Sequence, residues 1–216
     1  MLGFMPRLRE VPRSEVTDST VLRMYQQLFG DRDPVTEPGT ATGTPGNWWS
    51  VFAVSPEVFG HAVAGFALYE KSESNLDPKL RELGQTRAGW ARGSQFVFSQ
   101  HCKGARNAGV SEEQIAAIPS WSTADCFSPL ERAVLAYTDA LVLASGRVPD
   151  QLFATLRSHL DDVQIMTLTY ITAMYEMHAT ISRALRLEYD DRDEPIVEIA
   201  APAGSAGLHI SMQEPQ

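Results

Sequence analysis

The longest helical segment, Asp161–Leu187, restricts the fold more than any other part of the chain. Its stretch VQIMTLTYITAMYEMHATISRAL carries apolar residues nearly all round a helix of 3.6-residue period. A helix of that kind predicts a buried central position, because water on any face would meet apolar surface. Other helices must then pack round it.

The rest of the chain supplies them. Residues 18–29 place Val21, Leu22, Tyr25, Leu28 and Phe29 at helical spacing, and Gly30 follows as a stop. Residues 31–47, DRDPVTEPGTATGTPGN, read as a long loop that runs into Trp48 and Trp49. A loop of that length inside a domain serves either as a lid or as plain connection. Ser55-Pro56 predicts the start of a helix reaching about Lys71, with Ser55 as N-cap, and Asp77-Pro78 opens the next helix in the same way. Ser94–Ala108 reads as a helix stopped by Gly109. Ser111-Glu-Glu-Gln114 and Ser128-Pro-Leu-Glu131 are capping boxes, the first opening a short helix before Pro119, the second a helix to about Ala144. A shorter helix follows Pro149-Asp150, and the tail after Glu188 turns acidic and then Pro/Gly/Ala-rich. No strand pattern emerges, so the expected class is all-α.

A length of 216 residues suits one domain with a sizeable core. The net charge of −9, from 18 basic and 27 acidic side chains, argues against nucleic acid or an anionic membrane as partner. No apolar run is long enough for a signal peptide or a membrane span. Two cysteines, Cys102 and Cys126, fit a reducing cytoplasm better than a disulfide-built secreted domain. Five scattered histidines show no metal-binding spacing, so no metal site is expected.

Chemistry concentrates in Leu80–Gly109. Glu82 falls on one helix and His101 on the next, with a break at Arg92-Gly93 between them. Two antiparallel helices could bring this acid and imidazole together, a frequent basis of proton-transfer catalysis. Spacing leaves two readings of His101 open: a catalytic group, or a core histidine bonded to a neighbour. Arg87 is expected to pair with Glu82 or another acid. Ser94 is either a catalytic hydroxyl or the N-cap of its helix.

Arg81-Glu82-Leu83, Arg87, Phe96-Val97-Phe98-Ser99-Gln100-His101 and Ala105-Arg106-Asn107-Ala108-Gly109-Val110-Ser111-Glu112-Glu113 occur in an order that resembles the carboxymuconolactone decarboxylase and alkylhydroperoxidase D superfamily. Trp121, Phe127–Ala133 and Tyr175-Glu-Met177 with Ala179 and Arg183-Ala-Leu185 extend the likeness over roughly residues 76–187. The resemblance implies an all-α helical bundle, with residues 1–54 as an N-terminal extension, 55–187 as the family domain and 188–216 as a tail. It also implies a homo-oligomer, commonly a trimer or hexamer, with the site near subunit contacts.

Departures from the family pattern narrow the chemistry. The two thiols of the peroxidase branch would fall at Ser94 and Val97, and neither is cysteine. A dithiol cycle cannot run from those positions. The glutamate that the decarboxylase-like branch often carries at position 97 is absent too. Glu82, Ser94 and His101 remain as the expected catalytic set, acting without a cofactor on a small organic acid, lactone or enolisable carbonyl compound. Cys102, one residue after His101, points away round the helix and reads as a buried small hydrophobe. Trp48, Trp49, Trp90, Val97, Phe98 and Tyr175 are the expected substrate-binding residues, with Phe52 and Tyr69 as further aromatic lining. A peroxidase using Cys102 or Cys126, and a non-catalytic ligand-binding oligomer, stay as alternatives.

Overall fold

The computed structural model describes residues 5–68 and 75–204, and helices are the only regular elements among them. The described residues form two compact units. One holds residues up to 68 together with 182–191 and 199–204; the other holds 75–181 and 192–198.

The first unit contains α1 (Ser19–Phe29), α2 (Asn47–Phe52) and α3 (Pro56–Ala67). Asp18 caps α1 by accepting from the Thr20 and Val21 amides at 2.9 and 3.0 Å, and Gly30, at φ 62°, ends it. Met24, Tyr25, Trp48 and Phe59 are fully or almost fully buried. Trp48 stacks on Phe52 with ring centroids 3.8 Å apart and meets Trp49 edge-on at 4.8 Å. Pro56 opens α3 as expected, but Ser55 makes no side-chain cap bond, so the fixed φ of proline starts this helix without a capping hydroxyl. α3 is described to Ala67; Tyr69 and the remainder of the span expected to reach Lys71 lie outside the described residues.

The second unit contains α4 (Pro78–Ala91), α5 (Gln95–Asn107), α6 (Glu112–Ala117), α7 (Pro129–Val142) and α8 (Asp150–Arg157), and α9 (Asp162–Leu185) as far as residue 181. Asp77 caps α4, and both capping boxes, Ser111/Gln114 and Ser128/Glu131, close with reciprocal bonds. α4 and α5 form a tight helical hairpin. Gly93, at φ 66°, makes the turn. A Cβ on Gly89 would stand 2.7 Å from the Phe98 amide nitrogen, so only glycine lets the two backbones come this close. Leu83, Ile118, Leu135, Leu156 and Leu168 are fully buried in the core of this unit.

Arg87 ties α4 to α7. Its guanidinium donates to both carboxylate oxygens of Asp139, at 2.7 and 3.0 Å, and to the carbonyls of Ile118 and Pro119. The Trp121 indole N–H donates to the same carboxylate at 2.9 Å. The partner of Arg87 is therefore Asp139 and not Glu82.

One expectation fails on α9. Val163, Met166, Tyr170 and Met177 are exposed, at 60, 68, 49 and 44 %. Residues 163, 166, 170 and 177 repeat at helical spacing and form one apolar stripe. The helix that reads as apolar all round is thus buried on one side only within this chain.

Candidate active site

Glu82 projects from α4 one turn after its start. Leu80, Leu83 and the clamped Arg87 hold α4 in place on its other sides. His101 projects from α5 toward it, and its Nδ1 lies 2.8 Å from Glu82 Oε2. Both side chains are largely withdrawn from water, at 8 % exposure for Glu82 and 12 % for His101. Arg81 reaches the other carboxylate oxygen at 3.3 Å. Burial raises the proton affinity of the Glu82 carboxyl. The facing His101, the hydrogen bond to it and Arg81 outweigh that effect and hold the carboxyl below the ordinary glutamate range. An ionised carboxylate that accepts a hydrogen bond from an imidazole N–H fixes both the tautomer and the orientation of the ring.

Gly104, one turn after His101, completes the arrangement. A Cβ there would stand 2.5 Å from Glu82 Oε2. Sequence reasoning passed over this glycine. A glycine inside a helix costs roughly 1 kcal/mol against alanine, and that cost was the signal that position 104 has a close neighbour.

Tyr175 on α9 meets the His101 ring edge-on, with centroids 4.2 Å apart, and stands 5.9 Å from the ring of His178. Glu176, between them in sequence, pairs with Arg92, the residue after α4.

The other expected site residues divide. Ser94 is fully buried, and its hydroxyl accepts from the Val97 amide at 3.1 Å, so it caps α5. Val97 and Phe98, at 2 and 5 % exposure, are packed side chains on the same helix. Trp90 lies under the Arg87 guanidinium, 4.6 Å from ring centroid to Cζ. Trp48 and Trp49 belong to the other unit, where they pack with Phe52, Phe59 and Phe66.

Cys102 is fully buried, and burial, with Glu198 adding to it, pushes its thiol up to about 12. At neutral pH it stays a thiol, and thiols are poor nucleophiles. Cys126 is half-buried, and both cysteines are free. Among the described residues no group of three or more His, Cys, Asp and Glu side chains is arranged to hold a metal ion, and no helix is long and apolar enough to cross a membrane.

Comparison with known proteins follows the same segment. Residues 57–140 match the model of the carboxymuconolactone decarboxylase family. The uncharacterised protein YdfG of Bacillus subtilis (strain 168) is 32% identical over 114 residues, which are 52% of this chain and 78% of that protein. A crystal structure of an Agrobacterium tumefaciens protein of unknown function, described as a candidate antioxidant defence protein AhpD, superposes with a TM-score of 0.58 at 27% identity. The match covers 67% of this chain and 95% of that one. The debrominase Bmp8 superposes with a TM-score of 0.64 at 14% identity, over 82% of this chain and 89% of the other, a likeness of fold.

Proposed function

The chain belongs to the carboxymuconolactone decarboxylase family, and on that premise we propose that it is a cofactor-free lyase or isomerase acting on a small organic acid, lactone or enolisable carbonyl compound. His101 is the acid–base group and Glu82 its orienting partner. The observation that carries this reading is the 2.8 Å contact of Glu82 Oε2 with His101 Nδ1, buried on both sides.

Glu82 keeps the proton on Nδ1, which leaves the lone pair of Nε2 for the substrate. Nε2 takes the proton from the carbon beside a carbonyl, and the C–H bonding pair moves onto the carbonyl oxygen as an enolate. Return of that proton to a different carbon completes an isomerisation. In a β-keto acid the bond to the carboxylate breaks instead. Nε2 takes the carboxyl proton, carbon dioxide leaves, its bonding pair forms the enolate, and the ring returns that proton to the carbon. A positioned imidazole contributes about 10²–10⁴-fold to such steps. Ser94 serves this pair by fixing the start of α5.

A peroxidase reading is opposed by Ser94 and Val97 at the dithiol positions and by the buried, protonated Cys102. The exposed stripe Val163, Met166, Tyr170 and Met177 supports a homo-oligomer.

The test is exchange of the α-hydrogens of small lactones and β-keto acids with D₂O, followed by NMR. His101→Gln should abolish protein-dependent exchange and decarboxylation, whereas Cys102→Ser with Cys126→Ser should leave both. Turnover that survives loss of His101 but not loss of the thiols would overturn the proposal in favour of thiol chemistry. Binding with no turnover would mark a ligand-binding protein.

A further inference from the structure

Gln85 is fully buried on α4, and neither its Oε1 nor its Nε2 has a hydrogen-bond partner among the described residues. A side-chain amide removed from water without partners costs stability that an apolar residue of the same size would not. Folded proteins keep few such groups, and each calls for a cause.

Its place on the helix supplies one. α4 turns Gly84 toward α9, since a Cβ there would stand 2.9 Å from Thr172 Oγ1. α4 turns Gly89 toward α5, against the Phe98 backbone, and Glu82 toward His101. At about 100° per residue, Gln85 lies about 100° from Gly84 and about 40° from Gly89. It therefore faces the wedge between α9 and α5. That is the wedge in which the His101 ring meets Tyr175. Thr172, fully buried and one turn before Tyr175, adds a hydroxyl oxygen with no partner among the described residues.

We propose that Gln85 is the substrate-reading group of the site, and that its carboxamide binds a small ligand carrying an O–H or N–H donor beside a carbonyl acceptor, as the enol of a 1,3-dicarbonyl compound does. The inference rests on the Glu82–His101 reading for the location of the ligand. Nε2 donates to the ligand carbonyl, and Oε1 accepts from the neighbouring hydroxyl. A diketone with no enol form offers no donor and leaves Oε1 unpaired. A site built to bond a hydroxyl rejects analogues that lack it.

Calorimetric titration of the full chain tests this, with acetylacetone as probe and 3,3-dimethylpentane-2,4-dione, whose central carbon carries no hydrogen, as the analogue that cannot form the conjugated 1,3-dicarbonyl enol. Wild type should bind acetylacetone and prefer it to the analogue by roughly tenfold or more. Gln85→Met should melt no lower than wild type without ligand and should lose that preference. A lower melting temperature for Gln85→Met would make the amide structural and overturn the proposal. So would unchanged binding in that variant, or equal binding of the two probes by wild type. His101→Gln separates this from the catalytic reading. If acetylacetone binding depends on Gln85 while turnover ignores His101, the reading of the pair fails and that of Gln85 stands. If turnover needs His101 and Gln85→Met leaves KM unchanged, the reverse holds.

Discussion

Glu82 and Gly104 show how one missing methyl group can hold a site together. The carboxylate of Glu82 occupies the space where a side chain at 104 would begin. Gly104→Ala is expected to push Oε2 away from His101 and to lower turnover together with stability, by about 1–3 kcal/mol in denaturant unfolding, because the gain in helix propensity is smaller than the cost of overpacking. Unchanged unfolding and turnover in that variant would count against the close approach. Glu82 also sets a pH dependence. Its carboxyl is held below the ordinary range in the folded chain, so the unfolded chain binds its proton first as pH falls. The stability it contributes is present above the unfolded value of about 4.5 and is lost as pH falls below it. Unfolding curves at pH 6 and pH 4 should differ less for Glu82→Gln than for wild type.

Elements are tied together by charged groups that reach backbone. Arg87 bonds Asp139 of α7 and two carbonyls that follow α6. Arg87→Met leaves the Asp139 carboxylate and the Trp121 indole without their shared organiser. The expected loss is about 2–3 kcal/mol, below the figure for a fully buried pair, because Asp139 keeps 24 % of its side chain in water. A chemical-denaturation midpoint equal to that of wild type would refute the clamp. In the first unit, Glu188 accepts from the amides of Gly46 and Trp48 at the start of α2. Burial pushes its carboxyl up to about 7, with Glu10 adding to the effect. The folded chain then binds this proton more tightly than the unfolded one. That stability is fully present below about pH 4.5 and is lost as pH rises through 7. Glu188→Gln should flatten the decline in melting temperature between pH 5 and pH 8, and an identical slope would show that this carboxyl does not cause it.

At the scale of the whole molecule, the apolar stripe of α9 bears on assembly. Val163, Met166, Tyr170 and Met177 would remain in water in an isolated chain. If copies associate through this stripe, Met166→Glu should shift the mass measured by light scattering toward the monomer without loss of helix signal. Wild type running as a monomer would show the stripe to be uncovered. The net charge of −9 makes such association dependent on salt when the charges of facing copies approach.

Local signals in the chain determined the elements themselves. Asp77, Ser111 and Ser128 cap helices where they were expected, and Gly30, Gly93 and Gly109 stop or turn the chain, because capping and left-handed turns depend on one to four neighbouring residues. The pairing of Glu82 with His101 was legible too, since a short hairpin fixes the register of α4 on α5. Long-range choices were not. Periodicity could not say that Arg87 takes Asp139 or that one side of α9 stays bare. Nor could it say that Gln85 is buried without a partner, because each depends on which helix packs against which face. Burial and partner choice are properties of the packed helices together, and no window of sequence contains them.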